Sequence, residues 1–115
     1  VKVFVYYNLH KKVWSVKALE GEMKGKVIRH TNMLTLTDCT CKVSMAGRKR
    51  VLAERRKNVH AGIVGTIVDT TPLLVFKEQI TYDPYKYDSF VNRRTLAPVH
   101  DVQWVSFHGK RVYVL

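Results

Sequence analysis

A chain of 115 residues, 46% hydrophobic and 25% charged, has the length and composition of one globular domain spanning 1–115, which excludes a disordered chain. Twenty lysines and arginines face nine acids, a formal charge of +11 that favours an anionic partner: nucleic acid, a nucleotide or, less readily, an anionic membrane. No leader pattern and no apolar run near the roughly eighteen residues of a membrane span is present, so the expectation is a soluble intracellular protein without a membrane partner.

The chain opens with Val1 to Tyr7, rich in β-branched and aromatic residues, and continues through a turn at Asn8 to Lys12 into Val13 to Leu19. This pattern predicts a hairpin. Gly21 to Gly25 reads as a loop, and Lys26 to His30 with Met33 to Leu36 as one strand or two, broken near Thr31 and Asn32. Thr40 to Val43 is a short strand. Cys39 and Cys41, two apart along a strand, are awkwardly placed to bridge each other and have no second pair for zinc, so reduced, half-buried thiols are expected.

Ser44 is a helix-capping residue and Asn58 a helix-ending one, which predicts a helix over Met45 to Lys57. Met45, Leu52 and Val59 recur at spacing seven and form its expected core stripe. Arg48, Lys49, Arg50, Arg55, Arg56 and Lys57 stand against Glu54 alone, a local excess of five positive charges in ten residues. Arg50, Glu54 and Lys57 have the spacing of ion pairs, while the remaining cations repel at a few tenths of a kcal/mol per neighbouring pair. That repulsion opposes folding and is relieved by a polyanion, whereas an ordinary charged helix face is merely solvated.

Val59 to Val68 is the longest strand-like run, with His60 at its start and Gly62 beside it, the glycine serving either close packing, a bulge or a groove. Asp69 to Pro72 reads as a turn, Leu73 to Phe76 as a strand or a helical turn, and Gln79 to Tyr82 as a strand. In the following DPYKYD loop, Tyr85 and Tyr87 flank Lys86, an arrangement on which bases stack at about 1–3 kcal/mol each. Tyrosines also fill loop cores with a wet hydroxyl end. Ser89 to Asn92 is a short strand, and Arg93 and Arg94 open a loop to Asp101. Val102 to Phe107 and Arg111 to Leu115 form a terminal hairpin that places Trp104 in or near the core. The expected fold is α+β: one principal basic helix packed on a curved, mostly antiparallel sheet of about six to eight strands.

Tyr7 to Lys17 (YNLHKKVWSVK) and Cys41 to Gly65 (CKVSMAGRKRVLAERRKNVHAGIVG) resemble a set of small proteins encoded by tailed bacteriophages. The resemblance covers roughly the first 65 residues and implies a viral origin and expression in the cytoplasm of an infected bacterial host. It brings no catalytic residue with it.

Three readings follow from the residues. In the first, Arg48, Lys49, Arg55, Arg56 and Lys57 track a nucleic-acid backbone, with His60 at the junction and Tyr85, Lys86, Tyr87, Arg93 and Arg94 extending the site. In the second, the same arginines hold a small anionic nucleotide or dock on an acidic host protein, inhibiting a defence system. The third is a metal-independent nuclease with His60 as base and Arg55, Arg56 and Lys57 on the phosphate. No paired carboxylates, zinc pattern or phosphate-binding glycine motif is present, so no metal or cofactor is expected.

Overall fold

A computed structural model describes residues 1–68 and 78–115. The strands are β1 (Lys2–Asn8), β2 (Val13–Ala18), β3 (Val27–Thr31), β4 (Met33–Val43), β5 (Ala61–Ile67), β6 (Glu78–Thr81), β7 (Phe90–Asn92), β8 (Pro98–Val99), β9 (Asp101–His108) and β10 (Arg111–Val114). Among the described residues one helix, α1 (Met45–Glu54), joins β4 to β5. All the strands form a single antiparallel sheet in the order β3-β2-β1-β5-β4-β9-β10-β6-β7-β8. The fold is therefore mostly β, with 54% of the described residues in strands against 9% in the helix, which overturns the expected α+β architecture and its six to eight strands.

Two local events explain the difference. Arg55 takes a left-handed backbone (φ 53°) and donates its N–H to the Val51 carbonyl, which stops α1 three residues before Lys57. The expected core stripe also fails: Met45 and Val59 are 45% and 53% exposed, and the helix buries only Gly47 and Val51. A helix with so little apolar face cannot form a layer of its own. Meanwhile β4 runs unbroken for 11 residues, because Asp38 (φ 53°) absorbs a bulge in the pairing with β5 between Thr37 and Thr40. The predicted turn at Asp69 to Pro72 and strand or helical turn at Leu73 to Phe76 lie outside the described residues.

The sheet curls until it meets itself. β3 and β4 are separated by Asn32 alone, yet stand four places apart in the strand order. β2 pairs with β1 and β3, and β5 pairs with β1 and β4, so the continuous β3–β4 segment completes a ring of hydrogen-bonded strands. β9 and β10 extend from it along β4. Inside lie Val3, Val5, Val16, Leu36, Ile63, Val105 and Phe107, all essentially inaccessible to solvent. Trp14, not Trp104, is the core indole; its ring packs on Phe107 at 4.6 Å and Tyr7 at 5.1 Å, and its N–H donates to the Gly109 carbonyl. Gly62 serves packing and leaves no groove, since a β-carbon there would sit 2.5 Å from the Phe4 ring and 2.6 Å from the Val5 carbonyl oxygen.

Candidate nucleic-acid interface

The basic segment is an excursion between two paired strands. Val43 of β4 faces Ala61 of β5, and the Ser44 N–H donates to the His60 carbonyl at 2.7 Å, closing its base. The Ser44 hydroxyl accepts from the Gly47 N–H and so caps α1. Gly47 lets the helix rest directly on His60, because a β-carbon there would lie 2.5 Å from the His60 β-carbon. Lys49 and Arg50 leave from the exposed side of α1, while Arg55, Arg56 and Lys57 stand exposed on the turn and the segment after it. Glu54 forms no ion pair with Arg50 or Lys57; among the described residues the one salt bridge is elsewhere, between Arg94 and Glu78.

Arg48 has a different task. Half-buried, it donates its Nε–H to the carbonyls of Pro84 at 3.0 Å and Tyr87 at 2.9 Å, tying α1 to the tyrosine loop. The loop is itself tightly wound, for the Asp83 carboxylate accepts from the Tyr85 N–H and the Asp83 carbonyl from those of Lys86 and Tyr87. Basic segment and tyrosine loop are thus neighbours. Tyr85 (60% exposed) and Lys86 project outward, while Tyr87 is half-buried. Between helix and loop opens a shallow cleft of about 390 Å³, lined by Arg48, Lys86, Tyr87, Asp88, Ser89, Val91, Leu96 and Pro98.

His60 is fully engaged. Its Nδ1 lies 2.9 Å from the Asn58 carbonyl, which can only accept, so the neutral ring carries its proton there. Nε2 then accepts from the Tyr82 hydroxyl at 2.7 Å, with the two rings edge to face. Burial, reinforced by Asp83 and Asp88 and opposed by Arg48, holds the Tyr82 phenol above its ordinary value and keeps that proton in place. In this arrangement His60 has no free lone pair to act as base, and its partners are Asn58 and Tyr82, not a second histidine.

A family profile described as "Mycobacterium phage L5 gene 82 protein" matches residues 1–115. The chain belongs to this gene 82 family. The gene 82 protein of Mycobacterium phage L5 is 45% identical over 104 residues, covering 85% of this chain and 82% of that protein. No solved structure matches. Membership makes the chain a bacteriophage protein, as the resemblance near its N-terminus implied, and brings no activity with it.

The remaining sites in this gene 82 family member are less open. Arg94 pairs with Glu78 at 2.6 Å, and that bond, with a second from Asn92, holds the Glu78 carboxyl below its ordinary value. Arg93 donates to the Gln79 side chain. These arginines lie in the turn between β7 and β8 and are partly answered by residues of β6. Cys39 and Cys41 are buried free thiols, each pushed up to about 12 chiefly by burial. No cluster of histidine, cysteine or acid side chains suited to a metal ion occurs among the described residues. In the same set no helix is long and apolar enough to cross a membrane. Sequence reasoning missed Tyr82 as the partner of His60, and Asp88, Ser89, Leu96 and Pro98 as cleft walls. Only the acid and serine directly after the YKY triplet gave a local hint.

Proposed function

We propose that the chain binds nucleic acid through the phosphate backbone, using Lys49, Arg50, Arg55, Arg56 and Lys57. One observation carries this reading: five exposed cations within nine residues make no hydrogen bond or ion pair to an acid among the described residues. Such an array repels itself, and phosphates relieve the repulsion while releasing condensed counterions. Arg48 supports the array from behind by anchoring the tyrosine loop beside it. On this reading the protein acts in the cytoplasm of the infected bacterium, on DNA or RNA, without sequence readout.

The test is retention of labelled single- and double-stranded DNA and RNA across a salt series. If all five cations engage, the log–log slope is roughly −3.5 on single strands and −4.5 on duplex. Changing Arg55, Arg56 and Lys57 together to alanine removes three contacts and flattens the slope by about two to three. Absence of retention at low salt, or an unchanged slope in the triple variant, refutes the proposal.

A further inference from the structure

The cleft between α1 and the tyrosine loop joins features that the exposed strip lacks. Its walls carry two cations, Arg48 and Lys86; an aromatic residue, Tyr87; a carboxylate, Asp88; and an apolar flank formed by the exposed Leu96 and Pro98. The Arg48 Nε–H is committed to the loop carbonyls, which fixes the guanidinium plane, while its Nη atoms make no hydrogen bond to a described residue. An arginine held in this way is a preorganised anion donor. A volume of about 390 Å³ falls at the small end of ligand sites, which run from about 300 to 1,000 Å³. A duplex cannot enter so small a space, and an inorganic phosphate would leave the aromatic and apolar walls without a partner. A ligand with one anionic end and one flat, polar-edged ring uses every wall.

We infer that this cleft holds a single unstacked nucleotide, its phosphate on Arg48 and Lys86 and its base against Tyr87 and the apolar flank of Leu96 and Pro98. The Asp88 carboxylate repels phosphate and accepts from base N–H groups. It therefore favours guanine, which presents two adjacent donors, over uracil or thymine. The inference rests on the phosphate-binding reading and adds to it a place where one nucleotide is singled out, either the end or a splayed base of a single strand, or a free mononucleotide.

Calorimetric titration of the full chain with GMP, UMP, guanosine and inorganic phosphate tests it, alongside Tyr87→Ala and Asp88→Asn variants whose melting temperatures are checked. Expected are saturable 1:1 binding of GMP, weaker binding of UMP, and at least tenfold weaker binding of guanosine or phosphate alone. Tyr87→Ala costs about tenfold or more in GMP affinity, and Asp88→Asn narrows the gap between GMP and UMP. If Tyr87→Ala also weakens single-stranded oligonucleotides while duplex binding holds, the ligand is a nucleotide of a strand; if only GMP binding suffers, it is a free nucleotide. No saturable GMP binding at millimolar ligand, phosphate binding as tightly as GMP, or a folded Tyr87→Ala variant that binds GMP normally overturns the inference. Salt-dependent duplex retention without GMP binding removes the cleft and leaves the strip. GMP binding without duplex retention does the reverse.

Discussion

Gly47→Ala sets two effects of opposite sign against each other at the seat of the basic excursion. Alanine in a helix interior is favoured over glycine by about 0.8–1.0 kcal/mol, so on propensity alone the change stabilises α1. The added β-carbon, however, would sit 2.5 Å from the β-carbon of His60, an atom fixed to the backbone that no rotamer can withdraw. Normal carbon contacts begin near 3.5 Å, so helix and strand must separate by about 1 Å, and overpacking of this kind costs about 1–3 kcal/mol. The steric term wins by about 1 kcal/mol, a drop of about 4 °C in melting temperature for a chain of this size. Urea unfolding of wild type and variant measures it. His60→Gly provides the control, because it removes the obstructing carbon and Gly47→Ala should then stabilise. A stabilising Gly47→Ala in the wild-type background, or one that stays destabilising beside His60→Gly, would refute the proposed seating of α1 on His60.

Tyr82→Phe removes the hydroxyl that donates to His60 Nε2 and leaves a part-buried acceptor unpaired, for a loss of about 1 kcal/mol by urea unfolding. In the wild type, nitrogen NMR of the ring should find the His60 proton on Nδ1, and a proton on Nε2 alone would contradict the hydrogen bonds described. Cys39 and Cys41 should resist thiol reagents at pH 8 in the folded state and react once unfolded. Because folding raises both from 9.0 to about 12, their share of stability is complete below pH 9 and is lost progressively as pH rises toward 12. Replacing both with alanine should flatten that alkaline decline, and an unchanged alkaline profile would argue against burial of the thiols.

The hairpins β1–β2 and β9–β10 were legible because alternating β-branched and aromatic residues on either side of a short turn leave few other pairings. So was the basic strip, since charge density is a property of consecutive residues. The end of α1 was not. Arginine rarely adopts the left-handed conformation, and nothing near Arg55 announces that it does so here, whereas Asn58 is a conventional terminator. Asp38 lies between the segments Met33 to Leu36 and Thr40 to Val43, which read as separate strands, and its bulge keeps β4 continuous. Of the ten strands, β8 is only two residues long and offers no pattern to read. In the candidate site, the strip and the tyrosines were each visible alone. Their union depends on Arg48 reaching carbonyls 36 and 39 residues away, and no local pattern encodes that distance.

The bond from the Ser44 N–H to the His60 carbonyl makes everything between them, topologically, the elaborated tip of a hairpin. Beyond Gly47 and Val51, which seat it, and Arg48, which braces the neighbouring loop, this tip owes the interior nothing. Its cations can be added, removed or reordered without repacking a single core side chain. Substitution there alters the charge of the molecular surface while the ring beneath stays constant.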